Sequence, residues 1–509
     1  MDAISARLAG AALLAFSGPA ADAGPAFEPV AVPRHEYVGG WEHFVGGGLA
    51  VWDCDADGLP ELLAAGGEAP AILLRNRSEP GRIAFEDAGA ALPAGVAGAY
   101  AVDLDGDAVR DVVLLRVGRD VALRGGPDCA LGPEIALPHR GEAWSTAFSA
   151  AWMPGDARPT LAFGAYVDRA DPEGPFGTCD AGTLMRPAPG SWAAEPIAPG
   201  FCALSMLFSD WRRRGVPDLR VSNDRHYYVT GGAEQMFEMP ALRPLGPADG
   251  WEPVSIWGMG IASRDVTGDG RADVALTSMG DQLLQFSTPE GYALAPWEAG
   301  IAATAPHVGG DGRPSTGWHA EWGDVDLDGR DDLLISKGNV DQMPGMAMED
   351  PTNLLMQNDD GTFAEAAAEA GIASLHRGRG AALADLDGDG RLDLALVNRR
   401  APLEVWRNVT EGAGGWLSAE PRQPGGNAFA VGAHLEVTAG GRTQVREVTV
   451  GGGHAGGQSG PQHFGLGAAG EARVRVIWPD GARSAPVTLP AGWRGTLSRG
   501  PDGALVPAP

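Results

Sequence analysis

Five copies of one acidic nine-residue loop dominate this sequence. Oxygen-bearing side chains occupy positions 1, 3, 5 and 9 of each copy, and position 6 is glycine in all but one. Alternate residues of a coiled turn aim their side chains at one point, and calcium takes six to eight oxygen ligands from flexible loops. The pattern therefore predicts about five calcium sites. Their predicted ligands are Asp53, Asp55, Asp57 and Glu61; Asp103, Asp105, Asp107 and Asp111; Asp265, Thr267, Asp269 and Asp273; Asp324, Asp326, Asp328 and Asp332; and Asp385, Asp387, Asp389 and Asp393.

Two damaged copies fill the gaps between the five good ones. Residues 152–160 keep little of the pattern, and residues 210–218 carry Arg212 and Arg214 at positions 3 and 5. Neither should hold calcium, and the two guanidinium groups are expected to pair with Asp210 and Asp218 in the ion's place. We number the seven loops in chain order as loops 1 to 7, with first residues at positions 53, 103, 152, 210, 265, 324 and 385.

The loop spacing predicts an all-β fold. Successive first positions lie 49 to 61 residues apart, a length that holds four short strands, the size of a propeller blade. We therefore predict a seven-bladed β-propeller over residues 24–410. Six units end in a further strand and the seventh does not, so Phe27–Val30 is expected to complete the last blade. Residues 411–500 alternate apolar and polar side chains and predict a small separate β domain, with a tail at 501–509.

The N-terminus has the features of a secretory signal peptide, with Arg7 before a short apolar run and Ala21-Asp22-Ala23 as a cleavage site. Residues 1–23 are thus expected to be removed, and the mature chain to be secreted or periplasmic, without a transmembrane segment. An oxidising compartment allows the four cysteines to form disulfides. Three pairings are possible, and Cys179 with Cys202 is favoured because both fall in one unit. The net charge of −28 argues against nucleic acid as a partner.

The motifs resemble a known family. The acidic loops look like the FG-GAP/VCBS repeats of integrin α-chain propellers. Gly451-Gly452-Gly453, His463-Phe464-Gly465-Leu466-Gly467 and Trp478-Pro479-Asp480-Gly481 are similar to the ASPIC/UnbV domain. Together they resemble the cartilage acidic protein family, which includes many bacterial members. The resemblance implies a secreted calcium-binding propeller, integrin α-like, with a C-terminal β domain.

Three functions remain open at the level of sequence, of which the third, an assembly or surface-display component, is not distinguished from the first by the sequence. The first is a binding or adhesion module for a protein or glycan, in which calcium is mainly structural. Its tryptophans either contact the ligand or pack between blades, which is the ordinary role of such residues. The second is an extracellular hydrolase acting on a polysaccharide or phosphoester, for which we find no catalytic motif. The tryptophans considered are Trp251, Trp257, Trp318 and Trp322, and the hydrolase candidates are His454, His463 and the run His226, Tyr227 and Tyr228.

Overall fold

The computed structural model describes residues 24–138, 141–171, 177–224, 232–302 and 304–509. The predicted signal peptide and the run from His226 to Tyr228 lie outside these residues. The described chain forms nine four-stranded sheets, which confirms the all-β prediction. Helical structure in the described residues is limited to single turns at Trp41–His43, Pro127–Cys129, Pro247–Asp249 and Trp297–Ala299, and none of these could cross a bilayer.

Seven of the sheets come from residues 27–408, and we number them sheets 1 to 7. In spatial order, sheet 1 contains β2 (Leu49–Trp52), β3 (Glu61–Ala64), β4 (Ile72–Asn76) and β5 (Phe85–Asp87); sheet 2, β6 (Val96–Val102), β7 (Asp111–Arg116), β8 (Val121–Gly125) and β9 (Leu131–Ile135); sheet 3, β10 (Ser145–Ala151), β11 (Thr160–Ala165), β12 (Gly182–Ala188) and β13 (Ser191–Ile197); and sheet 4, β14 (Ala203–Ser209), β15 (Asp218–Asn223), β16 (Gln235–Glu238) and β17 (Arg243–Pro244).

The remaining sheets of this part follow the same order, except that the last one borrows a strand from the start of the chain. Sheet 5 contains β18 (Gly258–Arg264), β19 (Asp273–Ser278), β20 (Leu283–Thr288) and β21 (Gly291–Leu294); sheet 6, β22 (Gly317–Gly323), β23 (Asp332–Lys337), β24 (Asn353–Gln357) and β25 (Phe363–Glu365); and sheet 7, β26 (Arg377–Ala384), β27 (Asp393–Arg399), β28 (Glu404–Asn408) and β1 (Phe27–Val30). The strand β1 pairs antiparallel with β28, with Phe27 opposite Asn408.

The seven sheets form a closed ring. The first strand of each sheet contacts the first strand of the next sheet, and β26 of sheet 7 contacts β2 of sheet 1. These inner strands are almost wholly buried, as in Val96–Val102, whereas outer strands such as Phe85–Asp87 are partly exposed. Because every acidic loop joins the first strand of a sheet to its second, all seven loops lie on one face of the ring, which we call the loop face.

Residues 415–508 form the last two sheets. One contains β32 (Gln462–Gly467), β29 (Gly415–Arg422), β35 (Trp493–Arg499) and β36 (Leu505–Ala508), and the other contains β31 (Arg442–Glu447), β30 (His434–Ala439), β33 (Glu471–Ile477) and β34 (Val487–Pro490). The core between them is continuous with the ring, because one apolar cluster joins Leu417, Phe464 and Val474 to Tyr100 and Phe148 of sheets 2 and 3. The C-terminal domain is therefore packed onto the ring.

Two disulfides tie the ring together, and they account for all four cysteines. Cys179 pairs with Cys202, as favoured from the sequence. Cys54 pairs with Cys129 across 75 residues of sequence, which links loop 1 to sheet 2.

Candidate metal centres on the loop face

Four of the five predicted loops bring three carboxylates together. Within each triad, one oxygen per residue lies within 4.8 Å of the others. Two oxygens that share a calcium ion at about 2.4 Å can be no farther apart than this. The triads are Asp53, Asp55 and Asp57 in loop 1; Asp103, Asp105 and Asp111 in loop 2; Asp324, Asp326 and Asp332 in loop 6; and Asp385, Asp387 and Asp393 in loop 7.

The donor sets fit a hard cation. Buried oxygens of Asp53, Asp55 and Asp105 accept no hydrogen bond in the described part of the chain, so each has a lone pair to offer. Burial raises the pKa of Asp385 and of Asp111 to about 6, and the pKa of Asp324 rises well above its ordinary value because it is buried beside other carboxylates. A divalent cation would offset this repulsion between buried charges.

Backbone geometry explains why these loops coil. The carboxylate at position 1 accepts the backbone N–H of position 6, at 3.0 Å between Gly58 N and Asp53 Oδ2 and at 3.0 Å between Ala108 N and Asp103 Oδ2. Position 6 has positive φ even where it is Ala108, at 66°. Position 4 also has positive φ, which the sequence does not signal because Ala56 and Leu327, and not glycine, occupy that position in loops 1 and 6.

The carboxylate at position 9 fixes the loop to its sheet. One oxygen of Asp393 accepts the backbone N–H of Leu386 at 2.9 Å, and the other accepts that of Asn408 at 2.8 Å. Glu61 makes the same pair of bonds to Cys54 N at 2.9 Å and Asn76 N at 3.2 Å. Position 9 thus joins the start of the loop to the third strand, in addition to facing the predicted ion in loop 7.

Loop 5 differs from the other four. Thr267 replaces the carboxylate at position 3, and no carboxylate triad of the kind seen in the other four loops forms within this fully described loop. The oxygens of Asp265 accept backbone N–H groups from Gly268 at 2.8 Å and Gly270 at 2.9 Å. Asp269 is exposed. Loop 5 therefore offers fewer converging charges than the others.

In loop 4, arginines occupy the place of an ion. Arg212 Nε donates to Asp218 Oδ2 at 2.9 Å, and Arg214 Nη2 donates to Asp218 Oδ1 at 2.8 Å. Asp210 accepts backbone N–H groups from Arg214 and Gly215 instead of a guanidinium. The expected pairing is thus found at Asp218 and not at Asp210.

The C-terminal domain covers loops 6 and 7. Gly465 lies so close to loop 6 that a Cβ there would be 1.8 Å from Asp324 Oδ2. Gly467 N donates to Leu327 O at 2.9 Å. His463 Nε2 donates to Gly390 O of loop 7 at 2.8 Å, and Arg494 contacts Asp385. Two of the four triads are therefore held against this domain, while the loop 1 triad is more open.

A Gly-rich segment of the same domain, residues 450–458, fills the centre of the ring, and we call it the central insertion. It bridges the inner strands of sheets 1 to 5. Ala99 N donates to Ala455 O at 3.0 Å, and Gly453 N donates to Ile261 O at 2.7 Å. Gln458 donates to Leu383 O at 2.5 Å, which brings in sheet 7. Neither the loop spacing nor the alternation of apolar and polar residues predicts this insertion.

The histidines considered for catalysis have structural positions. His454 is fully buried in the central insertion, where its backbone N–H bonds His319 Nδ1 at 3.0 Å and its ring packs on Trp318. Burial lowers the pKa of His454 and of His463 to about 3. Both rings are neutral at ordinary pH, and neither is open to a substrate.

The tryptophans considered for ligand contact are mostly inside the ring. Trp251 and Trp318 are fully buried and Trp322 is nearly so, whereas Trp257 is partly exposed. They pack within and between sheets, which is their ordinary role.

The buried carboxyl group of Glu447, where the C-terminal domain contacts Ser209 and Asp210, should make the stability of the protein depend on pH. Glu447 accepts Ser209 Oγ–H at 2.6 Å and Asp210 N–H at 2.7 Å, and burial raises its pKa to about 7 from 4.5. The folded chain therefore binds this proton more tightly than the unfolded chain does, so stability falls as pH rises from about 5 to 8. Over that range, we expect the free energy of unfolding of wild type to fall by about 2–3 kcal/mol more than that of Glu447→Gln.

Urea unfolding of both proteins at the two pH values, with calcium held constant, measures this difference. Glu471→Gln, at an exposed glutamate of the same domain, is the matched control. An equal pH dependence in wild type and Glu447→Gln would mean that Glu447 does not titrate in this window.

Comparison with known proteins identifies the C-terminal domain. Residues 423–502 match the family model described as ASPIC and UnbV. Cartilage acidic protein 1 from Mus musculus and from Homo sapiens are each 38% identical over 109 residues, which is 21% of this chain and 17% and 16% of those proteins. The match thus spans less than a fifth of the length of these relatives. The chain carries an ASPIC/UnbV domain.

Two solved structures are similar to this chain at low sequence identity. A complex of BBS1N with ARL6DN is 9% identical, with a TM-score of 0.45, covering 73% of this chain and 93% of that chain. The extracellular domain of the putative hybrid two component system BT4673 from B. thetaiotaomicron is 8% identical, with a TM-score of 0.42, covering 92% of this chain and 60% of that chain.

Proposed function

We propose that this chain is a secreted calcium-binding β-propeller protein that acts as a binding or adhesion module. The observation that carries the proposal is the convergence of carboxylates into four triads of calcium-binding size on one face of the ring. Calcium is mainly structural, because two triads lie against the ASPIC/UnbV domain and their position 9 carboxylates are bonded to the sheets. Two disulfides fit an oxidising compartment.

The partner, a protein or glycan, meets the face opposite to the loops. The ASPIC/UnbV domain covers loops 6 and 7, and the central insertion occupies the centre of the ring. Long connections lie on the opposite face, including residues 295–302, 304–316 and 338–352, and the half-exposed Trp41 is also there. Variable loops on a rigid scaffold are the usual place for binding contacts. The hydrolase alternative loses support, because two of its candidate residues, His454 and His463, are buried and neutral.

Counting calcium ions tests the proposal. We expect wild type to bind four ions with dissociation constants of about 10⁻⁴ M or below, and loop 5 to bind more weakly because it offers one carboxylate fewer. Asp385→Asn removes a position 1 ligand of loop 7 and is expected to lower the count by one. The measurement is a calcium titration of the mature chain, followed by calorimetry.

Loop 4 supplies the matched control. Asp210→Asn changes the same position in a loop where arginines already bond Asp218, so the count should stay at four. Absence of saturable binding in wild type would overturn the proposal. So would an equal loss of ions in Asp210→Asn and Asp385→Asn.

A further inference from the structure

A small pocket lies where loops 4 and 5 meet the ASPIC/UnbV domain. Loop 4 supplies Arg213, loop 5 supplies Arg271, and β31 of the ASPIC/UnbV domain supplies Arg446. Arg264, from the last residue of β18, completes a group of four guanidiniums around the pocket. The space that a water-sized group can occupy is about 20 Å³, which is enough for one small polar group.

The carboxylates of the pocket are already bonded. Asp210 accepts backbone N–H groups from Arg214 and Gly215 at 2.7 and 2.6 Å. Asp265 and Glu447 likewise accept a donor from the protein at each of their oxygens. In the described residues, no hydrogen bond or ion pair joins these three side chains to the guanidinium groups of the pocket.

The arginines, in contrast, have unused donors. Arg446 is 3% exposed; its Nη2 donates to Asp331 Oδ1 at 2.8 Å, but its Nε has no hydrogen-bond partner in the described residues. The Nε of Arg264 also donates no hydrogen bond there, although it lies 3.6 Å from Asp331 Oδ2 in an ion pair, and its Nη2 donates to Trp322 O at 3.3 Å. Within the described chain, the guanidiniums of Arg213 and Arg271 form no hydrogen bond or ion pair, and both residues are half-buried.

An unpaired buried guanidinium donor is costly to a fold. Planar guanidinium groups bond oxyanions through two parallel N–H donors, more strongly than a neutral acceptor allows. We propose that this pocket binds one oxyanion group of a ligand, of the carboxylate, sulfate or phosphate type, between the ring and the ASPIC/UnbV domain. The remainder of the ligand lies outside the pocket. This site is distinct from the carboxylate triads and does not depend on calcium in them.

Titration with sodium sulfate, and separately with sodium acetate, tests the pocket. Mature protein in about 1 mM calcium is titrated by calorimetry at constant ionic strength, with sodium chloride replaced by the probe. We expect one saturable site for at least one of the two anions, and the two arms show whether a tetrahedral or a planar group fits. Affinity should fall at least tenfold in Arg213→Gln and in Arg271→Gln.

Arg34→Gln is the control, because it removes the same charge from an arginine whose side chain is 81% exposed and lies outside the pocket. Its affinity should match wild type. Calcium is counted on every variant, so a loss of anion binding with four ions retained separates this site from the triads. The inference is overturned if neither anion binds saturably. It is also overturned if the three variants bind equally well, which would indicate a general salt effect.

Discussion

Withdrawal of calcium is expected to lower the free energy of unfolding by about 6 kcal/mol. A site with a dissociation constant of about 10⁻⁴ M contributes about 1.4 kcal/mol at about 1 mM calcium, and the chain has four triads. This sum is comparable with the whole stability of a typical domain, about 5–15 kcal/mol. The relief of repulsion between the buried carboxylates is already contained in the dissociation constant, so it is part of this sum.

Urea unfolding with calcium and with a chelator measures the change. Magnesium should restore little stability, because it demands a smaller octahedral shell than these loops provide. Limited proteolysis adds a local readout. Cleavage between sheet 7 and β29, at residues 409–414, should accelerate with the chelator if loops 6 and 7 lose their hold on the ASPIC/UnbV domain. An unchanged unfolding midpoint would show that the acidic loops are solvated turns.

Most of the ring could be predicted from the sequence. Each acidic loop is local, and its spacing reflects one sheet, so a periodic pattern is enough to place all seven first-to-second-strand connections. The pairing of β1 with β28 was expected for the same reason, since one unit lacked its last strand. Local patterns of this kind are the part of a fold that sequence reasoning reaches best.

Contacts between residues far apart in the sequence were harder to predict. The Cys54–Cys129 pair joins adjacent sheets across 75 residues, and spacing alone does not choose it. Positive φ at Ala56 and Leu327 is imposed by the loop and carries no glycine signal. Loop 5 matched the pattern, yet Thr267 leaves its carboxylates without a triad. The difference there is one of side-chain direction, which a spacing rule does not include.

In the central insertion, tertiary packing overrides the structure that the local sequence indicates. Runs of glycine such as Gly451-Gly452-Gly453 usually indicate turns. In the structure, these glycines permit backbone to approach the inner strands, with Gly452 N bonded to Met206 O at 2.7 Å.

Substitution of Gly48 by alanine is expected to displace the central insertion. A Cβ on Gly48 would lie 1.8 Å from Ala455 O and 2.4 Å from Ala455 C. Both are backbone atoms, so no side-chain rotation relieves the overlap. Overpacking and the loss of backbone hydrogen bonds together should lower the free energy of unfolding by about 4 kcal/mol.

Gly460→Ala is the matched control, because Gly460 lies two residues after the insertion and a Cβ there meets no atom within 4 Å. We expect it to change stability by less than about 0.5 kcal/mol. Hydrogen exchange of peptides covering residues 450–458 provides the local readout. In Gly48→Ala those amides should exchange faster than in Gly460→Ala, because bonds such as Gly453 N to Ile261 O at 2.7 Å are lost. Equal exchange in the two variants, with equal stability, would mean that the insertion is not anchored against Gly48, and the centre of the ring would then be accessible to a ligand.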